Sequence, residues 1–313
     1  MINKKNNNVT PSPYWKMEEG HNSKSIFYKL IFLLNSKIIS KFGYTIKNRY
    51  IKKIEQNSFL KGDLQNLRNV ELSTFLSDYF NNIGISSQSE EIKKYINEFD
   101  IIFRDQPTSD LSGGMGYNNG LFFYILLKLI QPQQIVESGV WKGFTTYLID
   151  SSTSQDASIQ CFDINLSLLE YKSSKAKYYE FDINDLEHSL PNNQKSLAFF
   201  DDHVSHYDRL LFCIKNKINF VILDDDITHL NVHSDGWPPI PSANMIFNYN
   251  KIPLKFKWVL NGSKASANIQ GLDVTKITNF YSYHTMPELF NFTGYKNSSL
   301  SSFLISKKIN KEL

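Results

Sequence analysis

One stretch of the chain decides the fold, and it reads Glu137-Ser138-Gly139-Val140-Trp141-Lys142-Gly143-Phe144-Thr145. The apolar run Gln134–Val136 before it predicts a short buried strand, and Lys142–Asp150 predicts a helix. Gly139 allows the backbone to approach a ligand closely, and Gly143 allows the helix to pack tightly. A strand, such a turn and a helix are what a nucleotide-like ligand needs at the carboxyl end of a parallel strand.

The elements around this turn alternate between short strands and helices. Further strands are predicted at Ile159–Phe162, Ser196–Phe200 and Phe220–Leu223, and further helices at Asn119–Ile130, Leu166–Lys175 and Tyr207–Lys215. This alternation predicts an α/β fold, a Rossmann-like and mostly parallel sheet with helices on both faces. Near the end of the chain, Lys255–Leu260 and Ser301–Lys307 are predicted to pair as an antiparallel edge.

The first hundred residues have a different character. Residues 1–23 are rich in Asn, Lys and Ser and predict a disordered tail. Helical spacing of apolar residues then predicts an extension over residues 24–100, with helices at Ser25–Lys41, Val70–Ile83 and Glu90–Phe99. The remainder, residues 101–313, is predicted to be the catalytic domain.

The charge is distributed unevenly along the chain. The first 61 residues hold 12 Lys and Arg against 3 Asp and Glu, whereas the rest holds 22 against 28. A slightly acidic body without clustered basic side chains argues against nucleic acid as a partner. The basic amphipathic helix Ser25–Lys41 has two interpretations: it packs on the protein body, or it lies on an anionic membrane surface.

The sequence also gives an expectation for the compartment. The two cysteines, Cys161 and Cys213, lack the spacing of a zinc site or a disulfide framework. The N-terminal residues do not follow the pattern of a signal peptide, and the apolar run Ile26–Ile39 is too short and too polar to span a bilayer. We therefore expect a cytoplasmic protein, with peripheral membrane contact through the basic helix as an open alternative.

The turn at Glu137–Thr145 lacks the Gly-x-Gly-x-x-Gly pattern of dinucleotide enzymes. It resembles motif I of class I methyltransferases, which depend on S-adenosylmethionine. The resemblance implies that Glu137 orients the methionine part of this cofactor and that Gly139, Gly143 and Thr145 belong to its binding turn. It also implies that Asp163, at the next strand end, accepts hydrogen bonds from the ribose hydroxyls and that Asp182 lies near the adenine amino group.

Two later strand ends carry a second group of polar residues. Phe199-Phe-Asp201-Asp202-His203-Val-Ser-His206 follows one strand, and Val221-Ile-Leu-Asp224-Asp225-Asp226-Ile-Thr-His229 follows the next. In a parallel sheet these carboxylates and imidazoles converge at the rim where a ligand lies. So much negative charge is unfavourable without a cation, and Mg²⁺ prefers carboxylate oxygens.

This arrangement is similar to the metal-dependent sugar O-methyltransferases of macrolide tailoring and to the cephalosporin hydroxylase-like family. The resemblance implies a metal on Asp201 or Asp202 with Asp224 and Asp225, a catalytic role for Asp202, and a base at His203 or His206. The chain departs from the pattern, because the Asp and His of the macrolide enzymes stand three apart whereas Asp201 precedes His203 by two. The alternative is that His203 acts alone as general base, with the acids raising its pKa.

A proline-rich loop follows the second acidic strand end. Its predicted substrate-binding residues are His229, His233, Asp235 and Trp237, which can stack on and hydrogen-bond a sugar ring. The sequence thus predicts an O-methyltransferase that uses S-adenosylmethionine, with Mg²⁺ open, and a sugar hydroxyl of a glycan or glycoconjugate as acceptor. The alternatives are a Rossmann-type oxidoreductase, a metal-dependent hydrolase, and a binding module without catalysis.

Overall fold

The computed structural model describes residues 15–17, 44–47, 50–53, 62–109, 114–187, 190, 195–228, 237–248, 255–260, 263–297, 299 and 301–309. Within these ranges, no helix is both long enough and apolar enough to cross a membrane. The predicted helix Ser25–Lys41 lies outside the described residues.

The elements are numbered in chain order. The strands are β1 (Trp15–Met17), β2 (Tyr44–Lys47), β3 (Tyr50–Lys53), β4 (Gln134–Ser138), β5 (Ser158–Phe162), β6 (Ala176–Tyr179), β7 (Ser196–Phe200), β8 (Phe220–Leu223), β9 (Lys255–Leu260), β10 (Ser263–Asn268), β11 (Tyr281–Thr285) and β12 (Ser302–Ser306). The helices are α1 (Asp63–Asn82), α2 (Ser89–Arg104), α3 (Tyr117–Ile130), α4 (Phe144–Ser152), α5 (His206–Lys215), α6 (Ala243–Phe247), α7 (Thr275–Phe280) and α8 (Phe290–Thr293).

The central sheet has seven strands in the order β6-β5-β4-β7-β8-β12-β11. Strands β4 to β8 run parallel, with β4 between β5 and β7. Strand β12 runs antiparallel between β8 and β11. The predicted fold class is therefore confirmed: a mostly parallel, Rossmann-like α/β sheet with an antiparallel strand near one edge.

Both faces of the sheet are covered, which explains why its strands are continuous apolar runs. In β7, Leu197 and Phe199 point into one hydrophobic cluster, together with residues of α1 to α4. Ala198 and Phe200 point into a second cluster, which contains residues of α5, α6 and α7. Because successive side chains of a strand alternate between faces, a strand buried on both faces must be apolar throughout.

The N-terminal helices form a layer on the first face. In α2, Ile92, Ile96, Phe99 and Phe103 recur at helical spacing and are buried. Arg68 of α1 and Asp100 of α2 form a buried ion pair, with side chains 6% and 9% exposed, and Tyr117 of α3 donates a hydrogen bond to the same carboxylate. The helices predicted around Val70–Ile83, Glu90–Phe99 and Asn119–Ile130 are confirmed by α1, α2 and α3.

The predicted pairing of Lys255–Leu260 with Ser301–Lys307 is wrong. Strand β9 pairs with the adjacent β10 as an antiparallel hairpin, and β12 pairs with β8 and β11. The hairpin belongs to a separate three-stranded sheet, in the order β1-β10-β9. A partner a few residues away is reached at a lower entropic cost than one 40 residues away, and the sequence of one strand does not reveal its partner.

The predicted helix Leu166–Lys175 is also wrong. Only Leu166–Leu168 forms a short 3₁₀ turn, capped by the side chain of Asn165, and β6 follows as a strand that the sequence analysis missed. The backbone N–H groups of Glu170 and Tyr171 both donate to the carbonyl of Lys142, each at 3.0 Å. These donors are satisfied by the turn Glu137–Thr145 rather than by a helix of their own.

The N-terminal residues that the structure describes differ from the expectation in part. Trp15–Met17, within the tail predicted to be disordered, pairs as β1 with Ala265–Ala267 of β10. Tyr44–Lys47 and Tyr50–Lys53, within the predicted helical extension, form the hairpin β2-β3. Backbone pairing with a distant strand is a tertiary interaction that local composition does not encode.

Candidate active site

The carboxyl ends of β4, β5, β7 and β8 meet at one edge of the sheet. Backbone hydrogen bonds between neighbouring chain segments continue beyond the ends of the strands. The N–H of Gly139 donates to the carbonyl of Phe162 at 3.0 Å. The N–H groups of Asp201 and Asp224 donate to the carbonyls of Ser138 and Phe200, each at 2.9 Å. The residues that follow these strands are therefore held side by side. In open parallel sheets this edge is where ligands bind.

The turn Glu137–Thr145 depends on two glycines with positive φ angles, 90° at Gly139 and 89° at Gly143. A Cβ atom at Gly139 would lie 2.2 Å from the carbonyl oxygen of Asp201, and one at Gly143 would lie 2.4 Å from that of Tyr171. Both positions thus exclude a side chain by backbone geometry and by space. The sequence predicted a close approach to a ligand at Gly139, whereas the neighbour in the structure is the backbone after β7.

Asp163 holds this turn from the end of β5. Its Oδ2 accepts hydrogen bonds from the backbone N–H groups of Val140 at 2.8 Å and Trp141 at 3.0 Å, and its Oδ1 accepts one from Asn165 at 2.9 Å. The structure therefore places Asp163 beside the predicted cofactor turn. The carboxylate also shapes the turn, a structural task that the sequence analysis did not anticipate.

Glu137 lies beneath the turn and is completely buried. Its Oε2 accepts hydrogen bonds from the Thr146 hydroxyl at 2.6 Å and the Cys161 thiol at 3.3 Å, whereas Oε1 has no hydrogen-bond partner among the described residues. Burial raises the pKa of Glu137 to about 7, against the hydrogen bonds from Thr146 and Cys161 that lower it. The sequence singled out Thr145, which is buried in α4, but the hydroxyl on the carboxylate belongs to Thr146.

Asp182 and Asp202 share a buried arginine that the sequence analysis missed. Arg209 of α5 donates to both oxygens of Asp182, at 2.9 and 2.7 Å, and through Nε to Oδ2 of Asp202 at 2.9 Å. Burial alone would raise the pKa of Asp182, but the hydrogen bonds and charge of Arg209 hold it below its ordinary value. Because both oxygens of Asp182 bind Arg209, the role toward adenine that the resemblance implied stays a prediction.

His203 lies at the rim of the site with Asp225 beside it. The Nδ1 atom of His203 is 3.4 Å from Oδ2 of Asp225, and the two side chains are 21% and 12% exposed. Both residues have positive φ angles, 58° and 52°, which non-glycine residues adopt at a cost of about 1–3 kcal/mol when surrounding structure imposes them. A carboxylate facing Nδ1 fixes the orientation and tautomer of an imidazole, as a general base requires.

His206, the other predicted base, has a different environment. It is 2% exposed at the start of α5, and its Nδ1 accepts a hydrogen bond from the backbone N–H of Ala243 at 3.1 Å. The nearby Asp226 is engaged by the N–H of Asn244 at 2.6 Å and the hydroxyl of Tyr283 at 2.7 Å. This geometry gives His206 a structural role and makes His203 the candidate base.

Asp224 belongs to a polar network with Ser299, Ser301 and Asn119. Its Oδ1 accepts hydrogen bonds from the hydroxyls of Ser299 and Ser301, and the amide of Asn119 donates to both hydroxyls at 3.0 and 2.9 Å. Burial, followed by the charge of Asp225, raises the pKa of Asp224 to about 6. The carboxylate therefore ties β8 to α3 and to the segment before β12.

The predicted metal ligands do not form a common site. Among the residues that the structure describes, no three His, Cys, Asp or Glu side chains stand close enough to hold one metal ion. Asp202 binds Arg209, Asp224 binds two serines and Asp225 faces His203, while the backbone of Asp201 contacts Gly139. As placed, this donor set does not fit Mg²⁺, which needs several oxygens directed at one point.

Of the predicted substrate-binding residues, only Trp237 is described. It is half-buried and packs on a small hydrophobic cluster that contains Ile227, two residues after Asp225. His229, His233 and Asp235 lie outside the described residues, so their roles stay predictions.

No protein-family model and no curated protein matches the chain. Solved structures that are similar to this chain include the O-methyltransferase TomG from Streptomyces achromogenes, involved in tomaymycin synthesis and in complex with S-adenosylmethionine. It is 12% identical with a TM-score of 0.38, over 76% of this chain and 98% of that chain. An O-methyltransferase from Bacillus cereus in complex with S-adenosylhomocysteine is 10% identical with a TM-score of 0.37, over 76% and 100%.

A cmcI structure with Mg and S-adenosylmethionine is 15% identical with a TM-score of 0.38, over 65% of this chain and 82% of that chain. All three TM-scores are below 0.5. The description of the fold therefore rests on the strand order of the chain itself.

Proposed function

We propose that the protein is an O-methyltransferase that uses S-adenosylmethionine and acts on a hydroxyl group, with a sugar of a glycan or glycoconjugate as the acceptor. One observation carries the proposal: the strand order β6-β5-β4-β7-β8-β12-β11, with β12 antiparallel, has the turn Glu137–Thr145 at the carboxyl end of β4, an inner strand between β5 and β7. This is the arrangement of the class I methyltransferases that the turn resembles. Because a fold does not fix a function, the site residues must also support the chemistry.

The residues of the turn fit the cofactor. Oε1 of Glu137 is a buried acceptor without a partner in the described part of the chain. The ammonium group of the cofactor, or a water molecule bound between the two, would donate the missing hydrogen bond. Asp163 lies just after the neighbouring strand β5. Its Oδ2 accepts two backbone hydrogen bonds, whereas Oδ1 accepts one and retains a lone pair for a ribose hydroxyl. We assign Glu137, Gly139, Gly143, Thr145 and Asp163 to cofactor binding.

When bound, S-adenosylmethionine supplies an electrophilic methyl group on a sulfonium sulfur, and the sulfur keeps the electron pair of the broken C–S bond. An acceptor hydroxyl that forms the new C–O bond must lose its proton in the same step. His203 takes this proton on Nε2, because its Nδ1 faces Asp225. The Asp225 carboxylate stabilises the imidazolium that results, and solvent removes the proton after the product leaves.

The preference for a sugar rests on the resemblance described above. Trp237, which packs on the hydrophobic cluster that contains Ile227, is consistent with it, since an indole ring stacks well on the apolar face of a sugar. We also propose a cytoplasmic location with peripheral membrane contact through the basic N-terminal segment. Flotation of the full-length protein with anionic liposomes tests this contact, and an unbound protein would remove it.

Binding and turnover separate the proposal from its alternatives. We expect isothermal titration calorimetry to detect S-adenosylhomocysteine and not NAD, and tritium from [methyl-³H]S-adenosylmethionine to reach a hydroxyl-bearing sugar in a panel of acceptors. Binding of NAD alone would favour an oxidoreductase. Binding of S-adenosylhomocysteine without transfer to any acceptor in the panel would favour a binding module.

The role of His203 is tested by substitution. His203→Ala is expected to lower kcat about 10²- to 10⁴-fold, the usual contribution of a general base, without changing the Kd for S-adenosylhomocysteine. His284→Ala is the matched control, because His284 lies in β11 near the far edge of the sheet. Equal rates for the wild type and His203→Ala would contradict the assignment.

A further inference from the structure

The turn between β7 and α5, which carries His203, is fixed by an extended network of buried contacts. Asp202 is the centre of this network: its Oδ2 accepts hydrogen bonds from the Ser138 hydroxyl and from Nε of Arg209, and its Oδ1 accepts one from the N–H of Val204 at 3.2 Å. The two residues that flank His203 are thereby tied together, and the turn is tied to the end of β4.

Arg209 extends the network to a third strand end. Its guanidinium binds Asp202 on one side and both oxygens of Asp182, after β6, on the other. The residue is 0% exposed, and its guanidinium lies 5.9 Å from the ring centroid of Phe200. A buried arginine between two carboxylates is expensive to desolvate, and an apolar residue of similar size often stabilises a protein equally well.

The position of this network relates it to catalysis rather than to packing alone. His203 follows Asp202 directly and has a φ angle of 58°, which is unfavourable unless neighbouring contacts impose it. In this conformation Nδ1 of His203 is 3.4 Å from Asp225. A shift of the turn by about 1 Å would separate the pair, and misplacement on this scale costs an enzyme about 100-fold in rate.

Resting on the function proposed above, we propose that Arg209 is a positioning residue: by binding Asp182 and Asp202 together it holds the β7-α5 turn in the conformation that brings His203 to Asp225. Arg209 thus compensates the charge of Asp202, one of the carboxylates for which the sequence analysis expected a divalent cation. It does not touch the reacting atoms and acts only through His203.

The chain offers a matched control for this role. Arg68 forms a second buried ion pair, with Asp100, and lies in the layer of N-terminal helices rather than at the strand ends. Arg209→Lys and Arg68→Lys each replace a buried guanidinium by an ammonium that makes fewer directed hydrogen bonds. Both variants are expected to lower the melting temperature, but only Arg209→Lys should affect His203.

The first readout is the tautomer of His203, from ¹H–¹⁵N spectra of the histidine rings at a pH where the ring is neutral. The wild type and Arg68→Lys should show the tautomer with its proton on Nδ1, the atom that faces Asp225, whereas Arg209→Lys should lose this preference. If Arg209→Lys does not fold, Asp202→Asn tests the same link. An unchanged tautomer in the variant, or the same change in Arg68→Lys, would overturn the positioning role.

The second readout is a double-mutant cycle of methyl transfer, well below the melting temperature of every variant. Arg209→Lys is expected to lower kcat about 10- to 100-fold in the wild type and to have no further effect in the His203→Ala background. A loss of equal size in both backgrounds would overturn action through His203. If the wild type transfers no methyl group, the proposed function fails, but the tautomer still decides whether Arg209 positions His203.

Discussion

Gly139→Ala tests whether the contact between the cofactor turn and the backbone after β7 holds the site together. The new methyl group would lie 2.2 Å from the carbonyl oxygen of Asp201, so one of the two backbones has to move. Alanine at a φ angle of 90° costs about 1–2 kcal/mol by itself, and overpacking a tight contact adds about 1–3 kcal/mol. We therefore expect the free energy of unfolding to fall by about 2–5 kcal/mol.

Gly271→Ala provides the control for backbone strain. Gly271 has a φ angle of 85°, close to that of Gly139, but no atom lies within 4 Å of a Cβ built there. Its substitution should cost only the conformational term of about 1–2 kcal/mol. The difference between the two variants, about 1–3 kcal/mol, measures the contact with Asp201.

Two assays follow from this comparison. Chemical denaturation gives the free energies of unfolding of the two variants, and calorimetric titration gives the Kd for S-adenosylhomocysteine. We expect this Kd to rise about tenfold in Gly139→Ala, which corresponds to a loss of about 1.4 kcal/mol of binding free energy, and to stay constant in Gly271→Ala. Equal stabilities and equal Kd values for the two variants would refute the argument that Asp201 and Gly139 are in essential contact.

Three other perturbations follow from the same structure. Burial raises the pKa of Glu137 to about 7, so the folded state binds this proton more tightly than the unfolded state. The free energy of unfolding therefore falls as the pH rises from about 4.5 through 7. Glu137→Gln should remove this pH dependence and melt at a higher temperature than the wild type at about pH 8 but not at about pH 4. Dialysis against EDTA is expected to leave the melting temperature and methyl transfer unchanged, since Asp202 and Asp224 bind other groups and no three metal-ligating side chains cluster among the described residues. A rate lost to EDTA and restored by Mg²⁺ would show otherwise. Tyr281→Phe removes a buried hydrogen bond to the Ile218 carbonyl and should cost about 1–3 kcal/mol in denaturation experiments, with binding of S-adenosylhomocysteine unaffected.

The sheet and the position of the candidate site could be predicted because their signals are local. Strands such as Ser196–Phe200 and Phe220–Leu223 are short apolar runs that end in carboxylates, and the structure gives the same bounds. The glycines at 139 and 143 mark the turn because few other residues adopt their φ angles.

The contacts between these elements could not be predicted, because they depend on distant residues. Arg209 stands beside Leu210 on the buried face of an amphipathic helix, and its partners are 7 and 27 positions away in the chain. The apolar spacing around Leu166 and Leu169 is that of a helix, but the carbonyl of Lys142 captures the N–H groups a helix would need. The sequence also could not distinguish His203 from His206 as the candidate base. The two histidines differ in burial, and their positions three residues apart in the chain do not reveal this difference.

The hydrophobic cluster of Ile227, Ile240, Met245, Ala265, Ala267 and Ile269 is separate from the two clusters that cover the central sheet. Its residues come from the segment after β8 and from the β10 hairpin, so this segment has a small core of its own beside the rim that carries Asp225. Mutations that change the packing of this small cluster need no compensating changes in the two clusters that cover the central sheet. This segment can thus vary in sequence while the strand ends keep their contacts, and under the function proposed above it is where directed evolution or chimeric exchange for a new acceptor should begin.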